Sequence, residues 1–305
     1  MEPVRIDSVS EFISVIGQIN DADGVDEFMR PKELLFRGQP DKNYELIPSL
    51  GRYKAGHEDI CFVERNLIDT AKYRFPNVFT KELYPIELLA ILQHYGIPTR
   101  LLDLTENALV ALYFACDKDI DKDGEVFVFK NLIDDVVDYP VVNAIADSYR
   151  FSRGSACFLE DFYEDIFDQP YFLEQRNSSV KCHRTKESGG KWIAECCKTP
   201  IFMRASIRLA RQQIQRGRYI LFPNVISEGT ENTAGCFASR IAPLSKDDDC
   251  ILGRIHIPSE CKRKVLNEMK VLGIDRGILF ADSIDIGCEE IKNQFYSNAD
   301  PLMMI

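Results

Sequence analysis

Apolar side chains recur at helical spacing over residues 9–19, where Val9, Phe12, Ile13 and Ile16 share one face. Ser8 and Glu11 stand at capping-box spacing in front of it. The period then changes. Residues 33–38, Glu-Leu-Leu-Phe-Arg-Gly, are a short apolar run stopped by Gly38, which predicts a buried strand whose last side chain is Arg37. Helical spacing returns at 59–73, aligning Ile60, Val63, Leu67 and Ala71, and again at 85–94, where Pro85 suits the first turn and nearly every position is apolar. A further helix follows, with Thr105 as the expected N-cap, Glu106 suited to the positive end of the helix dipole, and NALVALYFAC offering hardly any polar face. Two neighbouring helices of that kind belong inside a fold.

Residues 125–129, 218–222, 251–257 and 277–281 read as strands. Between the last two, Ser259 is expected to cap a helix presenting Val265, Met269 and Leu272, closed by Gly273. Residues 131–200, rich in aromatics and charge, read as a mainly helical insertion. These elements predict an α+β fold with a mixed or antiparallel sheet flanked by helices.

One segment departs from the pattern. Residues 93–105, QHYGIPTRLLDLT, crowd polar groups between the two apolar helices. Gly96 and Pro98 should end the first helix and Thr105 start the second, so a tight, partly buried loop is expected between them. Buried charges need partners, and the simplest reading pairs Arg100 with Asp103 or with backbone carbonyls, leaving Gln93 and His94 as helix-end caps. Yet Gln93, His94, Thr99, Arg100, Asp103 and Thr105 together hold more hydrogen-bonding capacity than a corner requires. A second cluster lies at 34–52. There Arg37 leaves a buried strand beside Gly38, which permits close approach of a ligand, and arginine suits bidentate recognition of phosphate or carboxylate. An ion pair with an acidic neighbour is the structural alternative for Arg37.

Composition narrows the class. The 305 residues, 45% hydrophobic and 28% charged, are those of an ordinary globular chain. With no basic-then-apolar leader, no apolar run near 18 residues and ten dispersed cysteines, the expectation is a cytoplasmic protein with reduced thiols and no membrane span. A net charge of −11 argues against a general nucleic-acid binder. Residues 121–170, however, hold twelve Asp/Glu against four Lys/Arg, and 176–218 hold eleven Lys/Arg against two Glu. Either two solvated faces partly neutralise each other, or the second is a phosphate-attracting stripe. Cys182, His183, Cys196 and Cys197 lack the spacing of a zinc site, and no metal is expected. His57 and His256 read as surface and strand residues. No Walker, Rossmann, zinc-protease or nucleophile-elbow pattern occurs.

LFRGQ at 35–39, IPSLGR at 47–52 and the 93–105 segment with its apolar helix resemble the FRG domain, a bacterial and phage-associated family named for residues equivalent to Phe36, Arg37 and Gly38. RQQIQRGRY at 211–219 and the closing helix with GILF resemble later elements of that family, so the likeness covers 30–130 strongly and 205–292 loosely. More distantly, an Arg ending an early strand, a Thr-bearing turn into a helix and a late strand after a Gln-x pair are similar to ADP-ribosyltransferases. That resemblance implies NAD as cofactor, Arg37 on its phosphate or ribose, Thr99 or Thr105 bracing the nicotinamide end, and Gln215 preceding the late strand. It also implies a Glu that polarises the ribose 2′-hydroxyl. Gly217 stands at that position and no Glu occurs between Glu195 and Glu228, so the carboxylate would come from Asp103 or Glu228.

The resulting expectation is a single FRG-type domain over 1–305 with an ADP-ribosyltransferase-like core and a helical insertion at 131–200. It would bind NAD or a related nucleotide through Arg37, Gly38, Gln39, His94, Thr99, Arg100 and Thr105, with Arg37, Thr99, Asp103 and Gln215 as the catalytic set. The role implied is a toxin or phage-defence effector with a protein, RNA or DNA acceptor. The alternative is a non-catalytic sensor or interaction module holding a phosphate-bearing ligand or nucleic acid in the same cleft.

Overall fold

A computed structural model of the chain describes residues 2–23, 33–52, 60–80, 82–130, 140–151, 157–173, 185–198, 201–206, 210–227 and 233–280. In chain order these form β1 (Val4–Arg5), α1 (Val9–Asp23), β2 (Leu34–Gln39), α2 (Ile60–Arg74), α3 (Pro85–His94), β3 (Leu101–Thr105), α4 (Ala108–Cys116) and β4 (Gly124–Lys130). Then follow α5 (Pro140–Ala146), β5 (Cys157–Phe158), α6 (Leu159–Phe167), α7 (Pro170–Leu173), α8 (Lys186–Cys196), β6 (Ile201–Met203), α9 (Ala210–Ile214), β7 (Gly217–Leu221), β8 (Ile226–Ser227), β9 (Cys236–Phe237), β10 (Ile251–Ile257), α10 (Ser259–Val271) and α11 (Arg276–Leu279).

The fold is α+β. Among the described residues the main sheet has seven strands in the order β1-β10-β4-β2-β3-β7-β6, with β5, β9 and β8 in a small second sheet. The main sheet is mixed: β1 lies parallel to β10, and its other pairings are antiparallel. Its central strands carry apolar residues on both faces because helices cover both. Leu34, Phe36, Val126, Val128, Ile255 and Ile257 pack with residues of α1, α4 and α10, among them Phe12, Leu112, Val265 and Met269. The alternate positions Leu35, Leu102, Leu104, Phe127, Phe129 and Ile220 meet Leu46, Leu50 and the start of α2. Leu101, Tyr219 and Leu221 join α3, α5 and α6 in a third cluster. No helix among the described residues is long and apolar enough to cross a membrane.

The described parts of 131–200 are mostly helical. They are also built into the core, since every residue of α5 is buried and Val141, Ala144 and Ile145 share a cluster with Leu89 and Leu101. At the start of α1 the cap is divided. Ser8 Oγ accepts from the Glu11 N–H at 3.3 Å, while the Glu11 carboxylate takes the N–H of Asp7 at 2.7 Å.

Five expectations are corrected. Ile13 is 54% exposed and Leu272 57%, so both fall off the buried stripes that Phe12 and Met269 occupy. Ser259 is the first residue of α10 rather than its cap. Pro258 holds that place, and the Ser259 N–H donates to Asp123 at 2.9 Å. Residues 276–279 form α11, because Asp275 accepts from the Ile278 N–H and closes a helical turn where a strand was expected; position 281 lies outside the described residues. Residues 101–105 are a strand of the main sheet instead of a loop, paired along their whole length with β7. Thr105 therefore ends β3, and Asn107 caps α4 by accepting from the Leu109 N–H at 3.0 Å.

Candidate functional site

β2 pairs with β4 at all positions from Leu34 to Gln39, but with β3 only where Phe36 faces Thr105. Beyond that point β2 and β3 part. A cavity of about 400 Å³ opens between residues 37–40 and 103–105, with Val110, Ala111 and Phe114 of α4 along it and Tyr44, Arg52, Asp117, Lys118, Asp119 and Gln215 completing the lining. The site is thus a gap in hydrogen-bonded sheet, backed by the apolar helix.

Arg37 spans the gap. Its Nη1 donates to the Asp103 carbonyl at 2.8 Å, while its Nε is buried without a partner among the described residues. Burial lowers its pKa to about 10, with Asp103 opposing the shift and Arg52 adding to it, so the guanidinium stays charged at neutral pH. Gln39, next but one on β2, is 1% exposed. Its Nε2 donates to the Glu45 carbonyl at 3.3 Å and its Oε1 is likewise unpartnered. One wall of the cleft therefore carries an unpaired buried donor and an unpaired buried acceptor. Each such group costs about 1–3 kcal/mol until something binds it.

Asp103 faces the cavity. Desolvation by the surrounding protein pushes its carboxyl above the usual range, against the pull of Arg37 and the hydrogen bond from Gln93 Nε2 at 2.6 Å. Gln93 also accepts from Thr99 Oγ1, which in turn accepts from the Leu101 N–H at 3.2 Å. Thr99 and Gln93 thus form a relay ending at the Asp103 carboxylate. At the far edge of the cleft, Thr105 Oγ1 donates to the Gln215 carbonyl at 2.5 Å and accepts from the Asn107 N–H at 3.0 Å. Gln215 Nε2 donates to the Leu279 carbonyl at 3.0 Å, so both side chains already have structural partners.

Of the residues singled out in the sequence, Arg37, Gly38, Gln39, Asp103, Thr105 and Gln215 line this cleft, whereas His94, Thr99 and Arg100 do not. His94 lies at the end of α3, edge-on to Tyr95 at 5.0 Å. Arg100 is not paired with Asp103. Strand side chains alternate, so residues three apart near β3 point to opposite faces. Arg100, 0% exposed, instead binds both carboxylate oxygens of Glu64 in α2 and donates to Phe222 O and Asn224 Oδ1 at 3.2 and 3.1 Å. Burial acts to lower its pKa, and Glu64 outweighs it, so the net direction is upward.

Gly38 has a different reason from the one expected. A Cβ there would lie 1.8 Å from the Ala111 carbonyl, so glycine lets α4 press against β2, and helix rather than ligand fills the space. Several described cations of the basic stretch are already paired. Lys186, Lys191 and Lys198 pair with exposed acidic residues, Asp161 and Glu164 among them, and Arg218 pairs with Glu106. Lys54, His57, Cys182, His183 and Glu228 lie outside the described residues. Among the described residues no group of three or more His, Cys, Asp or Glu could hold a metal.

Arg52, Tyr44 and the Asp117–Asp119 turn were given no role from sequence. Arg52 closes the IPSLGR motif, and its guanidinium lies 6.0 Å from the Tyr44 ring. That motif was the available signal.

Fold and site together define an α+β protein with a polar cleft at a parting of strands. Residues 32–124 match the family model described as FRG domain, so the chain carries an FRG domain there. Among the described residues, that stretch supplies all of the cleft's lining except Gln215. Neither the curated proteins nor the solved structures give a match.

Proposed function

We propose that the FRG cleft binds NAD or a related nucleotide through an anionic group, and that the chain is an ADP-ribosyltransferase-like protein. The observation that carries this is Arg37: a charged guanidinium in a cavity, its Nε unpaired, beside the second cation Arg52. Among the described residues neither arginine makes an ion pair with a carboxylate side chain. A phosphate would satisfy the free N–H and relieve the repulsion between the two cations. Gln39 Oε1 suits a donor on the same ligand, such as a ribose hydroxyl.

In a transferase of this kind the bond from the ribose to nicotinamide breaks, nicotinamide leaves with the bonding electrons, and the acceptor's nucleophile attacks the oxocarbenium-like carbon. Asp103 lines the cleft and its charge acts on Arg37, so it fits the role of stabilising that positive charge. Such an activity would suit a toxin or phage-defence role, with a protein, RNA or DNA as acceptor.

One observation favours the second reading, a non-catalytic sensor or interaction module. Thr105 and Gln215, lining the cleft, have their side chains committed to structural hydrogen bonds, and Thr99 lies away from it. Calorimetry with NAD, ADP-ribose, ATP and RNA, followed by an assay for nicotinamide release, separates the readings. Arg37→Lys keeps the charge but loses the planar fork, and should weaken nucleotide binding about tenfold or more with the fold intact. Full binding by that variant would reduce Arg37 to a general positive charge and remove the basis of the proposal.

A further inference from the structure

Thr99 and its neighbours are the part of the 93–105 motif that the cleft does not use. Thr99 is 1% exposed, and its backbone N–H donates to Ser49 Oγ at 3.2 Å while its carbonyl accepts from the Leu50 N–H at 3.1 Å. It thereby clamps the IPSLGR segment, which carries Arg52, against residues 97–99. On the far side of that clamp lies a second open cavity of about 700 Å³, lined by Ile97 and Pro98, by the exposed edge of α2, and again by Arg52. Arg52 is common to both cavities. The motif therefore divides: Asp103 and Thr105 face the first cavity, and Ile97 and Pro98 the second.

We propose that these cavities are two halves of one site, so that the ligand class is an anionic dinucleotide with its diphosphate at Arg37 and Arg52 and its second nucleoside beneath α2. The inference rests on the nucleotide reading above and extends it. Four observations support it. Arg37 and Arg52 are close enough for one charge to lower the proton affinity of the other, and a bridging anion is what such a pair lacks. The second cavity has the mixed wall of a nucleoside pocket: Val63, Leu67 and Phe75 are apolar, while Asn66 and Thr70 offer hydrogen bonds on the same side. Phe75 is 56% exposed, leaving ring surface for a planar base to cover. Arg74 at the end of α2 gives this cavity a second positive charge, and among the described residues no acidic side chain lines it, which matches an anionic occupant.

The test blocks the second cavity. Thr70 and Asn66 are exposed α2 residues that line it, and Thr70→Trp would fill the space without touching the core. Asn66→Trp, one turn away, is the independent second block, and melting curves check that both variants are folded. Binding of NAD and of nicotinamide mononucleotide to the full chain is measured by calorimetry. In the unmodified chain NAD should bind about tenfold or more tightly than the mononucleotide, and either block should reduce NAD to about the mononucleotide level while leaving the mononucleotide within about twofold. Unchanged NAD affinity in both folded blocked variants, with Arg37→Lys still weakening it, overturns the two-cavity site and leaves the single cleft standing. No binding of either compound to the unmodified chain overturns both the nucleotide reading and this one.

Discussion

Removing the carboxylate of Glu64 should cost more than altering any single group in the cleft. In the folded protein Arg100 is fully buried and Glu64 is 1% exposed, and the two meet side-on, with Arg100 Nε donating to Oε1 at 2.8 Å and Nη2 to Oε2. Two further acceptors, Phe222 O and Asn224 Oδ1, occupy Nη1. Glu64→Ala leaves this guanidinium charged, dry and lacking its counter-charge. The expected loss is about 3–5 kcal/mol, the usual result of breaking one side of a buried pair. That is a large part of the roughly 5–15 kcal/mol that separates folded from unfolded domains.

Replacing both partners with apolar residues of similar volume, Glu64→Leu with Arg100→Met, removes both desolvation terms and should recover much of the loss. Urea titrations of the single and double variants give the coupling directly, with a constant slope showing that the denatured state is unchanged. Because Arg100 does not line the cleft, ligand binding by the folded fraction should be unaffected. A loss below about 1 kcal/mol for Glu64→Ala would refute the reasoning, since it would mean that water reaches Arg100 and that the pair behaves as a surface salt bridge.

Gly38→Ala would place a methyl group 1.8 Å from the Ala111 carbonyl and should destabilise by on the order of 3 kcal/mol through displacement of α4, read as a lowered denaturation midpoint. Lys262 Nζ donates to the carbonyls of Pro40, Lys118 and Asp119, at 2.6, 3.1 and 3.0 Å, which hold the rim of the cleft. Lys262→Met should therefore lose about 2 kcal/mol or more, whereas Lys264→Met, removing one exposed 3.8 Å pair, should stay within about 0.5 kcal/mol in the same denaturant assay. Asp147 is 2% exposed and burial raises its pKa from 3.8 to about 6, against Arg150 at 2.7 Å. The folded state thus holds this proton to higher pH than the unfolded chain, so the group's contribution is fully present below pH 3.8 and falls by about 3 kcal/mol as pH rises through about 6. Asp147→Asn should remove that component of the pH dependence, of which about 1.4 kcal/mol falls between pH 5 and pH 8, where unfolding free energies are compared.

Much of the framework was legible without tertiary information. The apolar runs at 85–94 and 108–116 could only be interior helices, and the 251–257 alternation could only be a strand with one face buried, because a side chain's environment repeats with the local backbone period. Arg37 was legible as a charge at a core's edge for the same reason. Residues 101–105 were not. Leu-Leu-Asp-Leu-Thr is too short to show its period, and what makes it a strand is β7, more than a hundred residues later. The partner of Arg100 had the same character: composition required a carboxylate, but Asp103 was near in sequence and Glu64 was near in space. The cleft too is tertiary, since it exists because β2 follows β4 and leaves β3 after one pair. Periodicity is a local property and is written in the chain, whereas strand partners, buried ion pairs and the gaps between strands depend on which distant segments meet.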